Sequence, residues 1–245
     1  MENLNGAVLA GKCVEWIARW FEQNGKDSPA VLGMSGGKDS TVAAALCARA
    51  LGPERVVGVA MPAEGQSLNE ADLICEHLGI RYICAPIGGI ISSFSSVSSL
   101  LEGGFSAQTE QNIPPRVRMC VLYAISQSLG GRVVNTCNLS EDWIGYSTRW
   151  GDGVGDFSPL GGLVVTEIRA IGHSLGIPAK WVDKTPDDGL PHSCSDEQKF
   201  GFTYDVLDRY IRTGECPDEE IKKKIDSMHS RNLFKMSMPE AFKIQ

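Results

Sequence analysis

The stretch DSPAVLGMSGGKDSTVAAALCARAL, residues 27–51, decides the fold. A short apolar run, Ala30 to Met34, breaks into glycine at Gly36 and Gly37, and helical spacing takes over from about Asp39 to Leu51. This pattern is a buried strand that ends in a glycine-rich turn and passes into a helix. Open parallel sheets bind ligands at such a place, outside the carboxyl end of a strand.

The segments on either side repeat the alternation. Residues 7–23 gather Leu9, Val14, Trp16, Ile17, Trp20 and Phe21 on one helical face. After the central helix come a strand at 55–62 stopped by Pro62, a helix at 67–78, a strand at 81–85, a helix at 119–129, a strand at 132–136 and a helix at 166–175. Continuous apolar strands separated by helices indicate an α/β fold, a doubly wound parallel sheet with helices on both faces. Two stretches break the rhythm. Residues 88–113 are serine-rich and read as an insert, or as a helix followed by a loop; residues 183–202 are rich in Asp, Pro and Gly and read as a long loop of the kind that often forms a lid. The segment DEEIKKKIDSMHSRNLFKM reads as an amphipathic helix with an extended end.

The loop itself, GMSGGKDS at 33–40, is an anion cradle. Gly36 and Gly37 let the backbone approach a phosphate with no Cβ in the way. The N–H groups at the helix start, near Lys38, supply donors and the positive end of the helix dipole. Ser35 and Ser40 add hydroxyls. Asp39 is the odd member, because a carboxylate beside a phosphate repels it unless a cation lies between. An Mg²⁺ ion shared by Asp39 and a polyphosphate resolves the conflict. The spacing is not that of the Walker loop GxxxxGK[ST].

Composition excludes several classes. The chain has 245 residues, 42% hydrophobic and 22% charged, which supports one full α/β domain over residues 1–245 and argues against disorder. A net charge of −7 makes a nonspecific nucleic-acid binder a poor reading. No apolar run approaches the ~20 residues of a membrane span. The start, MENLNGAVLAGKCVEW, lacks the features of a signal peptide. The eight Cys form no CxxC pair and read as reduced, mostly buried thiols of a cytoplasmic protein. Four scattered His do not suggest a His-based metal centre.

The loop resembles the SGGxDS loop of the ATP pyrophosphatases, enzymes with an adenine nucleotide alpha hydrolase-like fold that cut ATP between its α- and β-phosphates. A second block narrows this. NIPPRVRMCVLY at 112–123 and VVNTCNLSEDWIGYSTRWGDGVGDFSP at 133–159 resemble the ammonia-dependent NAD synthetase pattern N-x-x-x-R-x-R-M-x-x-x-Y, N-x-x-E, G-Y-x-T-[KR]-x-G-D and D-x-x-P. The resemblance covers about residues 12–210 and is dense from 112 to 160.

It implies that Gly33, Met34, Ser35, Gly36, Gly37, Lys38, Asp39, Ser40 and Thr136 bind ATP, and that Asp39 and Glu141 hold Mg²⁺. It implies that Arg116, Arg149, Asp156 and Lys235 hold deamido-NAD⁺. Arg118, two along from Arg116, falls to phosphate contact or to structure; Trp150 to packing; Asn138 and Tyr146 to shaping the loop. The activity implied is ATP-dependent amidation of deamido-NAD⁺ with ammonia, without a covalent enzyme intermediate, in a homodimer. Larger relatives add a glutaminase domain. About 30 residues precede the first strand, too few for one, so free ammonia is the expected nitrogen source.

This chain also departs from the pattern. Val165 stands where the family commonly has an ATP-binding Lys, Asp187 replaces a hydroxyl residue, and Phe234-Lys235 replaces a His-Lys pair. Two other readings stand beside the synthetase: another amidating or thiolating member of the superfamily, and a nucleotide-binding module without turnover. The first lacks an account of the 112–159 block, or lacks CxxC and a basic surface; Val165 and Asp187 motivate the second.

Overall fold

The computed structural model describes residues 5–66, 70–184 and 196–243. Four parallel strands run in the order β3-β2-β1-β4: β1 (Ala30–Gly33), β2 (Val56–Ala60), β3 (Arg81–Cys84) and β4 (Arg132–Val133). The order turns at β1, which pairs with β2 on one side and β4 on the other, so a crevice opens beyond the carboxyl ends of β1 and β4.

Alternation along β1 sorts the two faces. Ala30 and Leu32 join the core built by α1 (Gly6–Asn24), α2 (Lys38–Leu51), α3 (Ala71–Leu78) and, later in the chain, the helix Val165–Ser174; Val31 points the other way. On that second face lie α4 (Gly88–Ser93), α5 (Ser95–Ser98) and α6 (Ala107–Ser128), with Ile113, Val117 and Leu122 of α6 packed around Val31, Val57 and Val59. Helices therefore cover both faces, as the sequence indicated. Ile17 and Phe21 of α1 are fully buried, each contributing about 1.5–3 kcal/mol, while Trp20 stacks on Phe157 with ring centroids 4.6 Å apart.

A third apolar cluster lies beside the sheet. It joins α7 (Leu139–Ile144), the start of α8 (Val165–Ser174), α10 (Asp196–Phe200), α11 (Tyr204–Thr213) and α12 (Glu219–Met236), with Ile144, Val165, Phe200, Tyr204, Leu207 and Ile225 in its centre; the short α9 (Ala179–Val182) packs Trp181 and Val182 into the first core instead. The stretch read as a loop, 183–202, lies between α9 and α11 and contains α10, whose Phe200 is a core residue. Residues 185–195, with Asp187 and Cys194, lie outside the described residues, as do 67–69.

Other boundaries differ from the sequence reading. The helix expected at 119–129 starts at Ala107 and runs through Pro114 and Pro115. Each proline removes one N–H from the helix ladder, yet Ser106 caps the first turn and the burial of Ile113 and Val117 against the sheet carries the helix past them. The serine-rich insert is thus two short helices and a turn leading into this long one. The fourth strand is two residues, not five: Val134 N still donates to Val31 O, Val134 also bridges to Phe157, and the chain then leaves the sheet.

Candidate active site

The loop between β1 and α2 takes the form its residues dictate. Gly36 has φ +76, a left-handed conformation that glycine adopts without strain. The turn is laced by hydroxyls: Gly37 N donates to Ser35 Oγ (3.2 Å), Ser40 Oγ lies 3.1 Å from Ser35 Oγ, and Thr41 Oγ1 donates to Gly37 O (2.7 Å). Helix α2 starts at Lys38 with no side-chain cap, which leaves its first N–H groups to an incoming acceptor.

The crevice is a cavity of about 510 Å³. Gly33, Met34, Ser35, Gly37, Lys38, Asp39 and Ser40 line it from the β1 side, and Thr136, Cys137 and Glu141 from the β4 side. Gly36 completes the turn without lining the cavity. Thr136 sits in the connection after β4, not in the strand.

Charge in this cavity is concentrated. Lys38 is buried, its Nζ 2.8 Å from Asp39 Oδ2. Burial opposes the ammonium, but Asp39 and Glu141 more than offset it and raise its pKa. The Glu141 carboxyl is pushed up to about 8, first by burial and then by the charge of Asp39. Asp39 Oδ1 is buried with no hydrogen-bond partner. Two neighbouring carboxylates, one with an unused oxygen and the other unable to ionise comfortably, fit a divalent cation. Among the described residues no group of three or more His, Cys, Asp or Glu forms a ready ligand set, so the other ligands of such a cation would be phosphate oxygens and water.

Helix α7 holds Glu141. Asn138, fully buried, caps it by accepting from Glu141 N at 3.0 Å, so Asn138 supports Glu141 in addition to shaping the loop. Asn135 clamps the neighbouring segment: its Nδ2 donates to Asp152 O and Val154 O, and its Oδ1 accepts from Cys137 N and Ser158 Oγ. Arg118 faces inward from α6 and donates to Met61 O (3.1 Å) and Gln66 Oε1 (2.7 Å), bracing the loop after β2. Gln66, Asp152, Lys184 and Asp196 line the cavity as well. Asp152 closes the G-Y-x-T-[KR]-x-G-D pattern, but the sequence reading gives it no role; Gln66, Lys184 and Asp196 come from separate segments, the last from α10, and no spacing connects them.

The residues expected to hold the second substrate lie elsewhere. Arg116 is exposed on α6, one helix position out from the wall, with Nε 3.4 Å from Arg149 O. The Arg149 guanidinium lies between the rings of Trp150 (5.0 Å) and Phe234 (5.3 Å) and donates to Ser237 O. Lys235 Nζ donates to Gly145 O (2.9 Å). These three cations form one outer group, which meets the cavity where Pro115 and Gly151 line its rim. Asp156 stands apart, accepting from Val133 N (2.7 Å) and Tyr123 Oη (3.3 Å) beside β4. Val165 is fully buried in the third cluster and does not line the cavity.

A model of the NAD synthase family matches residues 9–245. The NH₃-dependent NAD⁺ synthetase of Methanococcus aeolicus is 36% identical over 212 residues, covering 85% of this chain and 83% of that protein. Among solved structures, the NMN synthetase of Francisella tularensis superposes with a TM-score of 0.89 at 26% identity, over 98% of this chain and 99% of that one. The NH₃-dependent NAD synthetase of Campylobacter jejuni gives 0.77 at 27% identity, over 97% and 99%.

Proposed function

From the premise that the chain belongs to the NAD synthase family, we propose that it amidates the nicotinate carboxylate of deamido-NAD⁺ with ammonia, using ATP and releasing AMP and pyrophosphate. The observation that carries this is the meeting, in one cavity, of an uncapped helix start behind a glycine turn with the carboxylates of Asp39 and Glu141.

The nicotinate carboxylate attacks the α-phosphorus of ATP, and the bond to the β-phosphate oxygen breaks. The turn at 35–40 holds the departing pyrophosphate with backbone N–H groups and the Ser hydroxyls. Lys38 keeps one oxygen of Asp39 fixed, and Oδ1 is left without a hydrogen-bond partner. Mg²⁺ bound by Asp39 and Glu141 would neutralise polyphosphate charge. Ammonia then attacks the acyl carbon of the adenylate, AMP leaves, and one proton is released. Arg116, Arg149 and Lys235 orient the nucleotide that carries the nicotinate, so most of the rate gain is positioning. No Cys acts as nucleophile. Cys137, the thiol in the cavity, is buried and pushed far above its ordinary pKa by burial and by the surrounding carboxylates, Glu141 first. The working unit we propose is a homodimer in the cytoplasm.

A second reading has one observation in its favour. The fold follows the F. tularensis NMN synthetase over nearly the whole of both chains. The same chemistry on nicotinate mononucleotide gives NMN.

Product analysis decides. Purified protein with ATP, Mg²⁺, ammonium and each nucleotide acid in turn is expected to give NAD⁺ and an equal amount of AMP from deamido-NAD⁺. A kcat/KM higher for nicotinate mononucleotide establishes the second reading, and ADP in place of AMP overturns both. Because NH₃ and not NH₄⁺ attacks, the KM for total ammonium should fall as pH rises. Glutamine free of ammonia should not substitute; NAD⁺ formed from it with equal glutamate would overturn the ammonia assignment.

A further inference from the structure

Helix α8 begins at Val165 after Val164, and neither residue has a side-chain oxygen to cap it. Its first N–H groups use acceptors from two other helices. Val165 N donates to Ser140 Oγ of α7 at 3.1 Å, and Thr166 N donates to Asp208 Oδ2 of α11 at 2.7 Å. Ser140 Oγ in turn donates to Asp208 Oδ1 at 2.5 Å. Ser140 and Asp208 are both fully buried. The direction of every bond is fixed. Ser140 has one proton, which goes to Asp208, so its lone pair is the one that faces Val165 N–H. Asp208 uses both oxygens as acceptors, which a carboxylate does without internal conflict.

Ser140 directly precedes Glu141 on a helix of six residues, too short to hold itself. Its amino end is capped by Asn138, and its carboxyl end is held by Asn232 Nδ2 on Ile144 O and Lys235 Nζ on Gly145 O. The bond from Ser140 to Asp208 ties its middle to α8 and α11. We infer that Asp208 is a positioning residue of the nucleotide site: through Ser140 it fixes the short helix that keeps Glu141 in the same cavity as Asp39. Asp208 does not line that cavity. The inference rests on the nucleotide reading proposed above.

Asp208→Asn is the sharp variant. It keeps the volume but turns one acceptor into a donor, which must face either the Ser140 hydroxyl or the Thr166 N–H. Ser140→Ala breaks the same connection from the other end, and it carries the same cycle should Asp208→Asn not fold. Binding of Mg·ATP is measured by calorimetry, without the second substrate, for wild type, Asp208→Asn, Ser140→Ala, Glu141→Gln and each of the first two combined with Glu141→Gln. Circular dichroism and a cooperative melt check the fold. Asp208→Asn and Ser140→Ala are each expected to weaken Mg·ATP binding about tenfold while moving the KM for the nicotinate substrate less than about twofold. In the Glu141→Gln background the same change should cost less than about twofold, because its route is already cut. A general structural role would cost the same factor in both backgrounds, and that result overturns the inference. A wild-type chain that binds Mg·ATP no better than Asp208→Asn and Ser140→Ala overturns it alone. A wild-type chain that binds no Mg·ATP overturns the nucleotide reading, and the inference with it.

Discussion

The turn at 33–41 and the outer group of Arg116, Arg149 and Lys235 are two ways of presenting donors to an anion. The first is local and mostly backbone. Its donors come from one short stretch, its one ammonium is buried and already paired, and its shape is set by glycine and hydroxyl bonds within residues 35–41. The second is assembled from α6, the loop after α7 and α12, and its side chains are held by backbone carbonyls of distant segments. On the function proposed above, the first would meet the same polyphosphate in every turnover and can be encoded in one stretch, whereas the second would select the nucleotide acid and is put together from several elements.

That contrast breaks most severely at the carboxylates. Asp39→Asn and Glu141→Gln are expected to lower kcat/KM for ATP by about 10²–10³ at limiting Mg²⁺, the size of a lost charge-stabilising contact in a dry site. Near wild-type activity in both would remove the cavity from the chemistry. Next, Arg116→Ala should raise the KM for the nicotinate nucleotide by about ten- to a hundredfold and leave that for ATP nearly unchanged, since a charge-assisted bond contributes about 1.5–3 kcal/mol. Equal effects on both substrates would merge the two regions into one. Gly145→Ala disturbs both at once. Gly145 has φ +68, and a Cβ there would lie 2.2 Å from Asn232 Cβ of α12; a loss of about 1–3 kcal/mol is expected in chemical denaturation.

The smallest effect has the opposite sign. Glu141 titrates at about 8 in the folded protein against an ordinary 4.5. Between those values the folded state holds a proton that the unfolded chain has released, so without ligand stability falls as pH rises through this window. Gln does not ionise. Glu141→Gln should therefore melt higher than wild type at pH 8, by about 2–4 °C for each kcal/mol relieved, and equal it below pH 4.5. An unchanged melting point at pH 8 would mean that the Glu141 carboxyl is neither buried nor held beside Asp39 in the free protein.

The same contrast explains what was legible. The strand, turn and helix at 30–51 could be read directly, because period, glycine placement and capping are short-range properties. The first turns of α6 are not legible, because Pro114 and Pro115 disfavour a helix locally and burial of Ile113 and Val117 against the sheet overrides them. Tyr204, 1% exposed and within 5.7 Å of Lys38 Nζ at its ring centre, belongs to the floor beneath the site, yet nothing near it in sequence says so. Ser140 and Asp208, 68 positions apart, gave no signal at all. Side-chain contacts across such distances depend on how helices pack, and packing is not written in any window of the chain.

The docking of α12 has a further consequence, in the order of synthesis. His229, Asn232 and Lys235 reach the carbonyls of Trp143, Ile144 and Gly145, and a ribosome makes them long after it has made the turn at 33–41. The phosphate cradle and its sheet can form while the tail is still in the exit tunnel. The carboxyl end of the helix bearing Glu141 gains its anchors only afterwards. The bonds that shape the turn lie within residues 35–41, whereas those that secure the end of the Glu141 helix wait for partners made up to 90 positions later.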